Sequence, residues 1–138
     1  MTNTLTTSDS TVPSKTRCPF CHIDPDAIID ANDTCIAFLD LKPVAPGHLL
    51  IIPKRHCRTY FDLTEREKQD MDELLQNGKA RLDNTTHPDG YNIGFNCGVA
   101  AGQTIFHCHA HLIPRFNGDT ANPAGGVRGV IPKQQHEE

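Results

Sequence analysis

From residue 17 onward the apolar positions fall into two periodicities that alternate along the chain. Residues 34–40 (TCIAFLD) and 48–53 (HLLIIP) are short, apolar and rich in β-formers, with turn residues between them. The spacing predicts a β-hairpin closed by a loop over 42–47. Alternation on the first strand puts Ile36 and Phe38 on one face, with Asp40 at the exit. Thr64 followed by Glu67 has the form of a capping box. Met71, Leu74, Leu75 and Leu82 then recur at helical spacing, predicting one amphipathic helix that ends near Asp83. Residues 87–90 (HPDG) predict a turn, 91–96 a strand, 98–103 a Gly/Ala loop and 105–114 a further strand. Residues 1–16 are mostly Thr, Ser and other polar residues without periodicity, and predict a disordered leader. The domain then spans 17–116, followed by a Gly/Pro-rich tail over 117–138 with a short extended piece at 127–131. No internal repeat is present. The sum is an α+β domain built on an antiparallel sheet.

A chain of 138 residues has room for one core of ordinary size. Lys and Arg number 13 against 17 Asp and Glu, a net charge of −4. That argues against a broad basic face for nucleic acid, so any phosphate is expected to be gripped locally. No apolar run approaches the roughly 20 residues of a membrane-spanning helix. Neither a secretory signal nor a transit peptide is recognisable, so a soluble, cytoplasmic protein without a membrane partner is expected. The 6 Cys and 8 His change the picture. The cysteines are expected as reduced thiols, some of them metal ligands.

The chemistry concentrates in residues 107–114, HCHAHLIP. On a strand His107, His109 and His111 share one face, with Cys108, Ala110 and Leu112 on the other. Three imidazoles in a row pack poorly, because charged rings repel and buried neutral ones each need partners. Imidazole is a nucleophile near neutral pH once a partner fixes which ring nitrogen is free. The preceding residues 98–104 (GVAAGQT) offer backbone N–H groups, the Gln103 amide and the Thr104 hydroxyl to an anion.

The segment 102–114, GQTIFHCHAHLIP, resembles the signature of the histidine triad (HIT) family. The resemblance extends through CPFCHI at 18–23, AFLD at 37–40 and PGHLLIIPKRH at 46–56. It implies a HIT-like fold: about five antiparallel strands, one main helix and a shorter one. It also implies a homodimer that binds purine nucleotides and cleaves at the α-phosphate. By position, His109 resembles the nucleophile that forms a nucleotidyl-imidazole, His111 its orienting neighbour, and His48 a fourth histidine supporting the nucleophile's tautomer. Asn96, Gln103 and Thr104 match phosphate-side positions. Asp40 matches the carboxylate that accepts ribose hydroxyls, and Phe20, Ile23, Phe38 and Leu41 match the walls around the base. Hydrolases of the family keep His at the third triad position, where transferases and phosphorylases tend to carry Gln. His111 therefore favours water as the final acceptor.

Cys18 and Cys21 form a CxxC that alone is compatible with a redox pair, a metal half-site or chance. No second CxxC exists, so further ligands to a metal would have to be histidines. The resemblance implies His56 and His107 as those ligands, in a closed structural zinc site that leaves no position for substrate water. Cys35, Cys57, Cys97 and Cys108 are expected to pack, and His22, His87 and His136 to be solvated. The expected function is hydrolysis of a dinucleoside polyphosphate or a nucleoside phosphoramidate. The alternatives are a zinc-stabilised nucleotide-binding module with incidental turnover, and a nucleotidylyltransferase.

Overall fold

The computed structural model describes residues 17–137, so the expected leader lies outside the described residues. Five strands, β1 (Ile28–Ala31), β2 (Cys35–Leu39), β3 (Leu49–Pro53), β4 (Gly90–Gly94) and β5 (Ala110–Arg115), form one antiparallel sheet. Their order across the sheet is β1-β2-β3-β5-β4. The main helix, α1 (Glu65–Thr85), lies between β3 and β4 in the chain. The remaining helical pieces among the described residues are 3-10 turns, such as Pro19–Cys21 and Tyr60–Asp62. No helix among them is long and apolar enough to cross a membrane.

The helix starts where the capping box places it. The Thr64 hydroxyl accepts from the Glu67 N–H at 3.1 Å, and the Glu67 carboxylate accepts from the Thr64 N–H at 2.9 Å. Glu67 is buried, and the Arg55 guanidinium donates to both its oxygens at 2.8 and 3.0 Å. That pair, first among the causes, holds the carboxyl below the usual range, and it ties the chain after β3 to the start of α1. Met71, Leu74 and Leu82 pack onto the sheet face formed by Ile51, Ala110, Leu49 and Leu112. Gly78 sits at the closest approach. A Cβ there would lie 2.9 Å from Leu49 Cδ1 and 3.0 Å from Leu112 Cδ2, and both leucines are too buried to give way.

Helix α1 covers one face only. On the other, Ile36, Phe38, Leu50 and Ile52 are met by Phe20 and Ile23 of the N-terminal segment and by Ile28 at the start of β1. That arrangement leaves a cleft rather than a second full layer.

Three elements differ from expectation. Strand β1, with Asp30 inside it and a register shift between Ile28 and Asp30, carries no clear sequence pattern. Strand β5 starts at Ala110, not at residue 105, because the Cys108 N–H donates to the Cys57 carbonyl at 2.7 Å rather than to a neighbouring strand. The tail forms 3-10 turns at Gly126–Val130 and Pro132–Gln134 in place of an extended piece at 127–131. Arg115 anchors the start of this tail, donating twice to Asp119 at 2.8 and 2.7 Å and once to Asn92 at 2.7 Å.

Candidate active site and metal knuckle

Strand register brings the histidines together. His111 on β5 stands opposite Leu50 on β3 and Gly94 on β4, on the face away from α1. His48 reaches it from the end of the hairpin loop. Gly47 makes that possible: its φ is +90°, and a Cβ there would come within 2.5 Å of Leu82 Cδ2, so only glycine fits both turn and packing.

The hydrogen bonds assign a tautomer to each ring. The Val44 N–H donates to His48 Nδ1 at 3.2 Å, which places the His48 proton on Nε2. His48 Nε2–H in turn donates to His111 Nδ1 at 2.9 Å. The His111 proton therefore sits on Nε2, which is buried and has no hydrogen-bond partner. The nucleophile candidate is set separately: His109 Nδ1–H donates to the His107 carbonyl at 2.8 Å, leaving its Nε2 with the lone pair. The resemblance implies that His48 supports the His109 tautomer; the structure instead pairs His48 with His111 and lets a main-chain oxygen orient His109.

A cleft of about 730 Å³ opens beside these rings, within the range of small-molecule sites. His109 and His111 line it, as do Phe20, Ile23, Phe38 and Leu41. Asp40 lines it as well, with one oxygen 3.6 Å from His48 Nε2 and the other accepting from the Lys42 N–H at 2.9 Å. Asn96 and Thr104 line it too. Gln103 does not reach the cleft. Its buried amide is committed to the main chain, accepting from the Gly98 N–H at 2.8 Å and donating to the Arg58 and Ile105 carbonyls at 2.7 and 3.2 Å. With no hydrogen left to offer, it clamps the loop instead of contacting phosphate. His22 and Lys42, which no motif singled out, line the cleft too. Their places one residue after Cys21 and two after Asp40 are the signals the sequence carries for them.

Burial dominates the ionisation of the histidines. It pushes His111 down to about 4, helped by His109 and His48, and lowers His48 and His107 as well. His111 is thus neutral near pH 7. The unfolded chain takes up its proton near pH 6.5, whereas the folded site refuses it until about pH 4, so stability is full above pH 6.5 and falls as the pH drops toward 4. Between pH 6.5 and 5 this amounts to at most about 2 kcal/mol. Urea unfolding across that interval should show the decline, and His111→Gln should make it shallower, with His48 and His107 supplying what remains; an unchanged slope in the variant would contradict the assignment. The carboxylates, with Glu67 held low by Arg55, add their own acid sensitivity only at lower pH.

The second cluster lies on the far side of Phe20. The ligand atoms of Cys18, Cys21, His56 and His107 all lie within 4.8 Å of one another. His107 Nδ1 is 3.4 Å from Cys18 Sγ and 3.5 Å from Cys21 Sγ, and His56 Nδ1 is 3.2 Å from Cys21 Sγ. The His107 Nε2–H donates to the Pro53 carbonyl at 2.8 Å, the arrangement that fixes a metal-binding imidazole with its other nitrogen free. Two thiols and two imidazoles fit a tetrahedral zinc ion in donor type and number. Asp40, His48 and His111 also lie within 4.8 Å of one another, but the tautomers leave no lone pair on His48 Nε2, so this set does not fit a cation. Cys35, Cys57 and Cys108 are buried in the core under α1, and burial raises all three thiols.

Comparison with known proteins agrees with this architecture. A family model described as the HIT domain matches residues 23–118. The chain is 34% identical over 123 residues to an AP-4-A phosphorylase of Mycobacterium tuberculosis, covering 83% of this chain and 63% of that protein. It is 40% identical over 83 residues to the asymmetrical bis(5'-nucleosyl)-tetraphosphatase of Schizosaccharomyces pombe, covering 60% of this chain and 46% of that one. Among solved structures, a Zn-bound histidine triad family protein from Mycobacterium smegmatis superposes with a TM-score of 0.70 at 34% identity, covering 78% of this chain and 81% of the other. With the triad in place, a five-stranded antiparallel sheet and a family match over most of its length, the chain belongs to the HIT family.

Proposed function

We infer that the protein hydrolyses a purine nucleotide conjugate at its α-phosphate through a nucleotidyl-histidine intermediate. The observation that carries this reading is the pair of tautomers at one cleft: His109 presents a lone pair on Nε2, and His111 presents an unpartnered N–H. His109 Nε2 attacks phosphorus, the bond to the leaving group breaks, and that group departs with the bonding electrons, a polyphosphate as its anion and an amine after taking up a proton from solvent. The proton stays on His109 Nδ1, and its hydrogen bond to the His107 carbonyl stabilises the charged ring. His111 Nε2–H hydrogen-bonds a phosphate oxygen as charge gathers there. Water then attacks phosphorus, His109 leaves as neutral imidazole, and the proton released passes to solvent. Asp40 accepts the ribose hydroxyls, Phe20, Ile23, Phe38 and Leu41 enclose the base, and Asn96 and Thr104 face the phosphate.

Cys18, Cys21, His56 and His107 would hold zinc, whose bonds would join the N-terminal segment to the residues that lead into β5. The Zn-bound relative and the donor set support this. The open edge of β4, with Ile93 exposed, suits pairing with a second copy of the chain.

The relatives' names span two final acceptors, phosphate for a phosphorylase and water for a tetraphosphatase; His111 at the third triad position favours water. Diadenosine tetraphosphate supplied together with inorganic phosphate separates them. AMP and ATP are the expected products. ADP with ATP would show phosphorolysis, and no turnover of this or of an adenosine phosphoramidate would leave a binding module.

A further inference from the structure

Between the two cysteines of the knuckle stands Phe20, and its ring faces the cleft. It packs edge-on against Phe38 at 5.4 Å between centroids and against the nucleophile candidate His109 at 5.1 Å. A further T-shaped contact, at 6.1 Å, reaches His107. His107 is itself fully buried and tied at three points. Its Nδ1 lies among the thiols, its Nε2–H is on Pro53, and its main-chain oxygen orients His109. One residue thus ends the metal cluster and begins the active-site hydrogen bonding. The chain here lies outside the sheet, because β5 starts only at Ala110. The knuckle and the Cys108-to-Cys57 main-chain bond, not a strand ladder, hold the nucleophile in place.

We propose that the knuckle is a positioning device, in which Phe20 and the His107 carbonyl couple metal occupancy to nucleotide binding in the cleft. Phe20 and His107 are positioning residues: each acts through His109 and the cleft wall. A metal that served the fold alone would leave the nucleotide site indifferent to it. Coupling through Phe20 is reciprocal, so nucleotide must hold the metal as firmly as metal favours nucleotide. The proposal rests on the reading of the cleft as a nucleotide site.

The test uses the full-length, zinc-loaded chain, with AMP as ligand and transfer of zinc to a chromophoric chelator as readout. Saturating AMP is expected to slow zinc transfer from the unaltered protein by about tenfold, a common size for coupling between two sites. Phe20→Ala keeps all four ligands and should retain one zinc per chain. At its own saturating AMP it should show less than about a twofold effect, with Phe20→Leu intermediate between it and the unaltered protein. Phe20→Leu also serves if the alanine variant folds poorly. Calorimetric AMP binding without any slowing of zinc transfer would overturn the proposal. So would equal slowing in the Phe20 variants, which would assign the linkage to global folding, and so would a chain that takes up no zinc. Failure of the loaded chain to bind AMP at all would instead sink the nucleotide reading first, and the coupling with it.

Discussion

His109→Ala is expected to lower hydrolysis of an adenosine phosphoramidate by about 10⁴-fold or more, while AMP affinity stays within a few-fold of the unaltered protein. A nucleophile that forms a covalent intermediate cannot be replaced by solvent held in the same place, and removal of such groups costs rates of this order. Binding survives because Asp40, Phe38 and Thr104 line the cleft independently of the imidazole. Stopped-time product analysis and titration calorimetry on the same preparation separate the two quantities. Equal, slow turnover in both proteins would mean that the triad binds nucleotide without processing it. His48→Ala belongs to a different class: it removes the donor to His111 Nδ1, not the attacking atom, and should leave a measurable residual rate.

Cys21→Ser is expected to abolish stoichiometric zinc and to lower the melting temperature by about 10 °C or more. Binding of a metal to a closed thiolate and imidazole site is folding free energy, on the order of 10 kcal/mol for small domains at neutral pH. Losing part of that in a domain of this size lowers the melting point by about 3–5 °C per kcal/mol. Elemental analysis and scanning calorimetry read the two effects together. A metal-free native protein with an unchanged melting point in the variant would return Cys18 and Cys21 to the role of an ordinary thiol pair. The structural basis is the span of the cluster: it joins Cys18 and Cys21 of the N-terminal segment to His56 after β3 and His107 before β5.

What the chain states locally, it states clearly. Thr64 and Glu67 announced the helix start because a capping box needs only four consecutive residues. The hairpin loop was legible from Pro and Gly, and its strands pair in simple register from Cys35 with Pro53 to Leu39 with Leu49. Two kinds of feature were hidden. Strand β1 is short and polar in its middle, so its identity comes from pairing with β2 rather than from its own pattern. Strand β5 begins late because a main-chain bond from Cys108 to Cys57 takes its place, a contact between residues 51 positions apart. The same limit applies at the site. Motif spacing grouped Gln103 with the phosphate contacts, yet the loop needs its amide to hold Gly98 and Arg58. His48 and His111 meet only through the sheet register that sets Leu50 beside His111.

The direction of the His48–His111 relay has an origin that bears on how this protein can change over generations. Its polarity is imposed by the amide of Val44, a main-chain group that nineteen of the twenty residue types supply. The Val44 side chain itself is exposed, so drift at that site can remodel the rim while the proton order beneath it is inherited intact. Proline alone, lacking the hydrogen, would release the ring to turn over.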